Sequence, residues 1–182
     1  MKKIENYAEV QATSGEFARP SAGGYVCKIV NVEDIPLNEA TGKGDYLRIE
    51  FDIAEGEFAG YYKEQFDRWG GVWNASFIRS YKEKALGMFK HFTTCVEKSN
   101  NGFEWNWDED ELIGKIVGLV LGEEEYQNSS GAIRTKLVVK EIKTPDEIRC
   151  GDFKVPAIKR LAPVSTTPFV ELVGADEEEL PF

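Results

Sequence analysis

The amino-acid sequence predicts a mainly β fold of five strands with one packed helix. The clearest observation is the stretch 46–53, where apolar and polar residues alternate strictly, as in a strand with one buried and one solvated face. Two further runs of apolar and β-branched residues, 115–121 and 132–142, flank a turn-forming Asn-Ser-Ser-Gly sequence. Between these halves, apolar residues recur at intervals of three and four from position 77 to 92, the spacing of an amphipathic helix.

In chain order, residues 1–22 are predicted to form an extended N-terminal arm, and residues 23–160 the folded domain. The first strand of the domain covers residues 25–32, and the loop after it ends in a glycine-rich turn at 41–45. The second strand is the alternating stretch 46–53. A turn at 55–60 leads into a third strand at 61–66, so that the three strands form an antiparallel meander.

A loop rich in tryptophan and glycine, residues 67–75, precedes the predicted helix, and Asn74 or Ser76 is expected to cap the start of that helix. Its apolar stripe is expected to face the core. The stripe consists of Phe77, Tyr81, Ala85, Phe89 and Phe92.

The acidic and aromatic insert around 97–112 is expected to be a loop with a short helical turn.

The second half of the domain is predicted to be a β-hairpin. Its first strand, 115–121, is almost continuously apolar and therefore expected to be buried on both faces. A hairpin loop at 122–131 leads to the last strand, 132–142, which carries basic residues on one face. Prolines at 145, 156, 163 and 168 break any longer element, and residues 161–182 are predicted to be a linker and a flexible acidic tail.

The charge of the chain is negative overall but strongly polarised along the sequence. The formal net charge is −10. Residues 131–160 contain eight basic and four acidic residues, whereas residues 97–126 contain nine acidic and two basic ones. A chain polarised in this way can present a basic groove on one face while it remains acidic as a whole.

No sequence pattern for catalysis, metal binding or cofactor binding is evident, so we expect a protein that is not an enzyme. There is no glycine-rich phosphate loop and only one histidine. The cysteines Cys27, Cys95 and Cys150 lie far apart, which argues against a zinc site or a disulfide framework and favours a reducing cytoplasm. No stretch is long and apolar enough to predict a membrane span.

The C-terminal tip has a composition that suits binding to another protein. Four acids keep it solvated, and the proline that follows prevents a helix, so an aliphatic and an aromatic side chain are presented next to the final carboxylate. Such a segment fits a basic pocket on a partner. The residues expected to bind the partner are Asp176, Glu177, Glu178, Glu179, Leu180, Pro181 and Phe182.

This tip resembles that of the bacterial single-stranded DNA-binding proteins, in which acids precede Ile-Pro-Phe or Leu-Pro-Phe and recruit replication, recombination and repair enzymes. The order of three strands, a helix and a hairpin resembles the OB-fold, a five-stranded Greek-key barrel, over residues 23–143. Together the two features resemble a phage or prophage single-stranded DNA-binding protein. An open α+β sheet with one packed helix is the alternative fold, and both a monomer and a homo-oligomer are compatible with the sequence.

The resemblance implies where single-stranded DNA would bind. OB-fold barrels bind strands across strands two and three and the loops that flank them, using aromatic stacking and basic side chains. Tyr61 replaces Tyr62 as a candidate if the register of the third strand shifts by one residue. The candidate DNA-binding residues are Lys43, Tyr46, Arg48, Tyr62, Lys63, Phe66, Trp69, Arg134, Lys136 and Lys140.

A different class of function also fits the charge pattern. The acidic block 97–126 and the acidic tail are both compatible with a non-enzymatic interaction module, such as a DNA mimic that binds a host nucleic-acid enzyme. Binding of oligo-dT separates the two hypotheses, because a DNA mimic does not bind DNA.

Deletion of Leu180, Pro181 and Phe182 should abolish capture of a tip-binding partner enzyme and leave binding of oligo-dT unchanged. The tip supplies the apolar anchor for a protein pocket but no basic group for DNA. Pull-down of purified replication and repair enzymes, with fluorescence anisotropy of oligo-dT in parallel, measures both properties. Equal capture by the deleted and the full-length chain would contradict the assignment of the tip.

Overall fold

The structure, a computed structural model, describes residues 18–162 and contains five strands, three helices and two short 3₁₀ turns in that range. The strands are β1 Gly23–Ile35, β2 Tyr46–Ile53, β3 Ser76–Ser80, β4 Ile116–Gln127 and β5 Ile133–Lys143. The helices are α1 Tyr61–Trp69, α2 Leu86–Ser99 and α3 Pro145–Cys150, and the 3₁₀ turns are Glu83–Ala85 and Glu109–Leu112. The expectation of a mainly β, five-stranded fold with a packed helix is confirmed.

All five strands belong to one antiparallel sheet in the order β3-β2-β1-β4-β5. The long strand β1 holds the sheet together, because it pairs with β2 over residues 27–35 and with β4 over residues 23–28. A bulge between Ile29 and Asn31 bends β1 at the point where the pairing with β4 ends. Within residues 18–162, β3 and β5 are not hydrogen-bonded to each other, so the sheet is open and not a closed barrel.

The core lies on the apolar face of β2 and is covered by α2. The alternation predicted for 46–53 is confirmed, because Leu47, Ile49 and Phe51 are buried while Tyr46 and Arg48 are only partly covered. From the helix, Phe92 and Val96 are fully enclosed. The first half of β4 is buried on both faces, as its apolar sequence predicts.

The prediction of a third strand at 61–66 is wrong, since these residues begin α1. The strand that pairs with β2 is β3, which lies where the sequence predicts the start of a helix. Neither Asn74 nor Ser76 caps a helix, and α2 begins only at Leu86, after a 3₁₀ turn. Short apolar and aromatic runs carry too few residues to distinguish a period of two from a period of 3.6.

The apolar stripe from 77 to 92 is therefore divided between two elements that pack against each other. Phe77 on β3 contacts Phe92 on α2 with ring centroids 5.7 Å apart. Tyr81, just after β3, contacts Phe89 on α2 at 5.5 Å. The side chains face a common core, as predicted, but they reach it from a strand and a helix and not from one continuous helix.

Asp52 explains why residues 61–69 form a helix at this position. Its carboxylate accepts hydrogen bonds from the backbone N–H groups of Tyr62 at 2.9 Å and Lys63 at 3.2 Å, in the first turn of α1. The residue before the helix, Gly60, has a φ of 76° and no side chain to cap α1. A buried carboxylate on β2 thus takes the place of a capping side chain and attaches α1 to the end of that strand.

The predicted hairpin loop at 122–131 is too long, because β4 continues to Gln127. The turn is limited to residues 128–132, where the side chain of Asn128 accepts backbone hydrogen bonds from Ser130 and Ala132. Strand pairing along the hairpin continues to Gln127 and Ile133. The acidic residues 123–125 therefore lie in an ordered strand, opposite residues 135–137.

After β5, the chain turns back across the sheet. The short helix α3 begins with a capping box between Thr144 and Glu147. Lys159 then forms a parallel bridge to Glu124 on the free edge of β4. Most of the predicted arm, residues 1–17, and the tail with its tip lie outside the described residues. Within the described range, no helix has the length and apolar character needed to cross a membrane.

Replacement of Asp52 by Ala should destabilise the protein by about 1–3 kcal/mol, because backbone N–H groups of α1 lose their acceptor. Urea denaturation followed by circular dichroism measures the free energy of unfolding. Asp67→Ala is the matched control on the same helix, since its exposed ion pair with Lys63 should contribute less than about 1 kcal/mol. Equal losses in the two variants would contradict the capping role of Asp52.

Candidate functional site

A groove runs between α1 and the β4–β5 hairpin and is here named the α1–hairpin groove. It consists of three adjoining cavities, of which the first two share Tyr62 and Asn74 and the last two share Arg19 and Thr135. The lining residues come from α1 and the loop after it, the start of the described chain, and both strands of the hairpin. They are Arg19, Pro20, Tyr61, Tyr62, Gln65, Phe66, Trp69, Gly70, Val72, Asn74, Glu123, Glu125, Tyr126, Asn128, Ile133, Arg134, Thr135, Lys136 and Leu137.

At the α1 end, the groove presents large apolar side chains to solvent. Trp69 is 69% exposed and Val72 is 70% exposed. They lie beside Phe66, whose ring packs 5.7 Å from that of Trp73. Trp73 is held in turn by a hydrogen bond of 2.9 Å from its indole N–H to the carbonyl of Phe51. The exposed rings therefore stand on an anchored base, which lowers the entropy lost when they bind a flat ligand.

In the middle of the groove, two tyrosines form one wall. The rings of Tyr61 and Tyr62 are 5.2 Å apart and nearly perpendicular, and Tyr62 also packs edge-on against Phe51 at 5.7 Å. Burial raises the pKa of the Tyr62 hydroxyl well above its usual range. The cavity here measures about 190 Å³ and is open to solvent. It continues into a cavity of about 710 Å³ at the hairpin end that is also open to solvent, and a continuous open channel favours a ligand that passes along the groove over one that is enclosed.

At the hairpin end, the groove is lined by cations. Arg19, Arg134 and Lys136 face two acids, Glu123 and Glu125. Of these acids, Glu125 is already paired at 3.3 Å with Arg160, a residue that does not line the groove. The ammonium of Lys136 lies 5.9 Å from the ring centroid of Tyr126, so a cation and an aromatic ring are adjacent here as well.

The structure brings half of the predicted DNA-binding residues together in this groove. Three of them lie on α1 and not on a strand, and two lie on β5, so residues predicted for two separate surfaces form one site. They are Tyr62, Phe66, Trp69, Arg134 and Lys136.

The other predicted residues do not line the groove. Arg48 is paired with Glu50 on β2 at 2.9 Å and with Glu33 on β1 at 3.8 Å. Lys140 lies at a bulge of the hairpin and is hydrogen-bonded to Glu124.

Lys63 is on α1, where it pairs with Asp67 one turn further along the helix. Lys43 and Tyr46 line a separate shallow cavity at the β1–β2 loop. The predicted face of strands two and three is thus not where the aromatic and basic groups meet.

Several residues of the groove were missed by sequence reasoning, and three of them add charged or polar groups to its walls. Arg19 lies in the stretch predicted to be an arm, yet it lines both the middle and the hairpin end. Asn74 and Thr135 add polar side chains to the walls. Arg19 and Pro20, immediately before the Gly-Gly that opens β1, were the available signal, because a basic residue at a domain boundary can fold back on the domain.

The chain matches no protein-family model, and a search of curated proteins finds no significant match. What the site can do must therefore be argued from its own groups. In residues 18–162, no three His, Cys, Asp or Glu side chains are grouped so as to hold a metal ion. The groove offers aromatic faces for stacking and guanidinium and ammonium groups for anions, in an open channel and not an enclosed pocket.

Ionisation of Tyr62 should destabilise the protein at high pH. Below about pH 10 the hydroxyl is protonated in both the folded and the unfolded state, and its contribution is constant. Above that pH the unfolded state ionises first, because burial raises the folded pKa, so the free energy of unfolding falls.

Comparison of wild type with Tyr62→Phe by urea denaturation tests this expectation. The wild-type protein should lose more stability than the variant between about pH 9 and pH 11. Tyr61 and Tyr81, whose pKa values are also raised, remain in both proteins and cancel in the difference. Parallel pH profiles of the two proteins would show that Tyr62 is accessible to water in the folded state.

Proposed function

We propose that this protein binds single-stranded DNA without sequence preference in the α1–hairpin groove, and that its C-terminal tip recruits replication, recombination or repair enzymes in the cytoplasm. The observation that carries the proposal is that exposed aromatic rings and cationic side chains line one channel. Trp69 and Phe66 stand at one end, and Arg134 and Lys136 at the other. Bases stack on rings while phosphates follow the cations, which is how proteins bind single strands.

The strand order supports an OB-fold as the underlying architecture. The neighbours β4-β1-β2-β3 have the order of a Greek key, in which the fourth strand returns beside the first. The helix α2 lies between β3 and β4, and a hairpin completes the five strands. An OB-fold barrel is often partly open, and its β4–β5 loop borders the nucleic-acid site. In this chain, residues of that hairpin form one end of the groove.

The composition of the groove favours binding that does not depend on base sequence. Every base has an aromatic face, so stacking on Trp69 or Phe66 does not select one base. Apart from the tyrosines, the uncharged polar side chains in the walls are few, namely Gln65, Asn74, Asn128 and Thr135. Phosphate contacts by arginine and lysine make the affinity sensitive to salt and add no sequence information.

The proposed role of the tip is compatible with the position at which the described chain ends. Leu161 donates its backbone N–H to the carboxylate of Glu125 at 3.1 Å, and Glu125 lines the hairpin end of the groove. The tail therefore begins beside the proposed DNA site. A partner enzyme bound to the tip would be held near the strand, which raises its effective concentration there.

Replacement of Trp69 by Ala should weaken binding of oligo-dT by about 1–3 kcal/mol, the contribution of one stacked base. Replacement of Lys136 by Ala should weaken binding less at high salt than at low salt, and should reduce the salt slope of the affinity by about one. Fluorescence anisotropy of a labelled oligo-dT of about thirty nucleotides, at several salt concentrations, measures both quantities.

Lys154→Ala is the matched charge control, because this exposed lysine does not line the groove. It should retain the wild-type affinity and salt slope within error. If the wild-type protein fails to bind the strand at about 50 mM salt, the proposed function is wrong. If it binds but Trp69→Ala and Lys136→Ala behave like Lys154→Ala, DNA binding stands and the groove is the wrong site.

A further inference from the structure

A second exposed aromatic surface lies at the end of α2 that is covered by the acidic insert, and is here named the Trp107 platform. Trp107 stacks on Phe89 with ring centroids 6.0 Å apart and planes 13° from parallel. Trp105 packs against both rings at 6.0 and 6.1 Å, and Tyr81 lies 5.5 Å from Phe89. Trp107 is nevertheless 74% exposed, so the outer face of a stacked indole is open to solvent. The platform shares no residue with the α1–hairpin groove.

The backbone at the platform is held in an unfavourable conformation. Trp107 has a φ of 70° and Asp45 a φ of 67°, and in the described part of the chain no other residue except glycine has a positive φ. The carbonyl of Asp45 accepts the backbone N–H of Tyr81 at 3.0 Å, and Tyr81 and Trp107 both contact Phe89. For a tryptophan such a conformation costs free energy, which is consistent with a ring kept at this position for binding.

The surroundings of the platform are strongly acidic. Residues 104–111 contain five carboxylates and no lysine or arginine. Burial and a hydrogen bond to Asp34 raise the pKa of the Tyr81 hydroxyl, and the charges of Asp34, Glu109 and Asp45 raise it further. Carboxylates from three parts of the chain therefore lie close enough to Tyr81 to raise its pKa, and that of Asp34 accepts a hydrogen bond of 3.0 Å from its hydroxyl.

Exposed lysines also lie near the platform residues in sequence, Lys82 and Lys84 after Tyr81 and Lys90 next to Phe89, but they are fewer than the five carboxylates of residues 104–111.

We propose that the Trp107 platform binds a basic segment of a partner protein, with a lysine or arginine side chain over the indole of Trp107 and neighbouring cations paired with the carboxylates of residues 104–111. The open face of a tryptophan is the strongest aromatic site for such a cation. The carboxylates attract basic segments and repel the phosphates of nucleic acid, so charge complementarity selects this occupant over a DNA strand. The inference does not rest on the proposed DNA binding.

A synthetic peptide of alternating arginine and leucine is the probe, and a peptide with glutamate in place of arginine is its control. Isothermal titration of the full-length protein should give saturable binding of the arginine peptide and none of the glutamate peptide. Trp107→Ala should weaken binding by about tenfold or more, through loss of the cation–π contact. Glu109→Gln should weaken binding severalfold, whereas Glu57→Gln, which removes an exposed charge elsewhere, should not. The acidic tip is present in every variant and cancels in the comparison.

Trp107→Gly separates binding from folding, because glycine adopts a positive φ without strain. The melting temperature of Trp107→Gly should be at least as high as that of Trp107→Ala, and the variant should also lose peptide binding.

Equal affinity of wild type and both Trp107 variants for the arginine peptide overturns the proposal, since only bulk charge would then act. It is also overturned if wild type does not bind the peptide. Loss of oligo-dT binding in Trp107→Ala with unchanged peptide binding would assign the platform to nucleic acid. If the wild-type protein forms a dimer in light scattering and Trp107→Ala does not, the platform would be assigned to a second copy of the chain.

Discussion

The contact on which the proposed site depends is that between the buried carboxylate of Asp52 and the first turn of α1. Two backbone N–H groups of the helix and one of β2 donate to this carboxylate. Without an acceptor at this point, the segment after Gly60 would begin with unsatisfied donors and no capping side chain. Because Asp52 lies near the end of β2, it fixes where α1 starts. Tyr62 consequently lines the same cavity as residues of the hairpin, and Phe66 and Trp69 line the adjoining cavity.

The open sheet gives the groove its second wall. β3 and β5 are not hydrogen-bonded in the described structure, and α1 and the loop before β3 share a cavity with residues of the hairpin. The free edge of β4 beyond its pairing with β1 is partly covered by Lys159, whose backbone exchanges hydrogen bonds with Glu123 and Glu125. The hairpin is thereby supported from one side and lined by cations on the other.

The charge polarisation of the sequence corresponds to a separation of surfaces in space. The basic residues of the groove belong to β5 and to Arg19, whereas the acidic insert surrounds the aromatic platform at Trp107. Both surfaces expose aromatic rings, but they are surrounded by charges of opposite sign, and charge decides which class of ligand each attracts. An anionic strand suits the first surface and a cationic peptide the second. The net charge of −10 alone would not have distinguished them.

The sequence by itself determined the mainly β, five-stranded class, the buried and solvated faces of β2 and the buried half of β4, because strict alternation and a continuous apolar run are local patterns. It did not determine where α1 and β3 lie, since the aromatic runs at 61–69 and 76–81 fit either period, and the carboxylate that caps α1 comes from a residue ten positions earlier. The sequence also did not indicate that Arg19 lies beside residues of β5. Those positions were decided by the tertiary structure, because capping, strand pairing and the packing of Phe77 on Phe92 are non-local interactions that outweigh local preference.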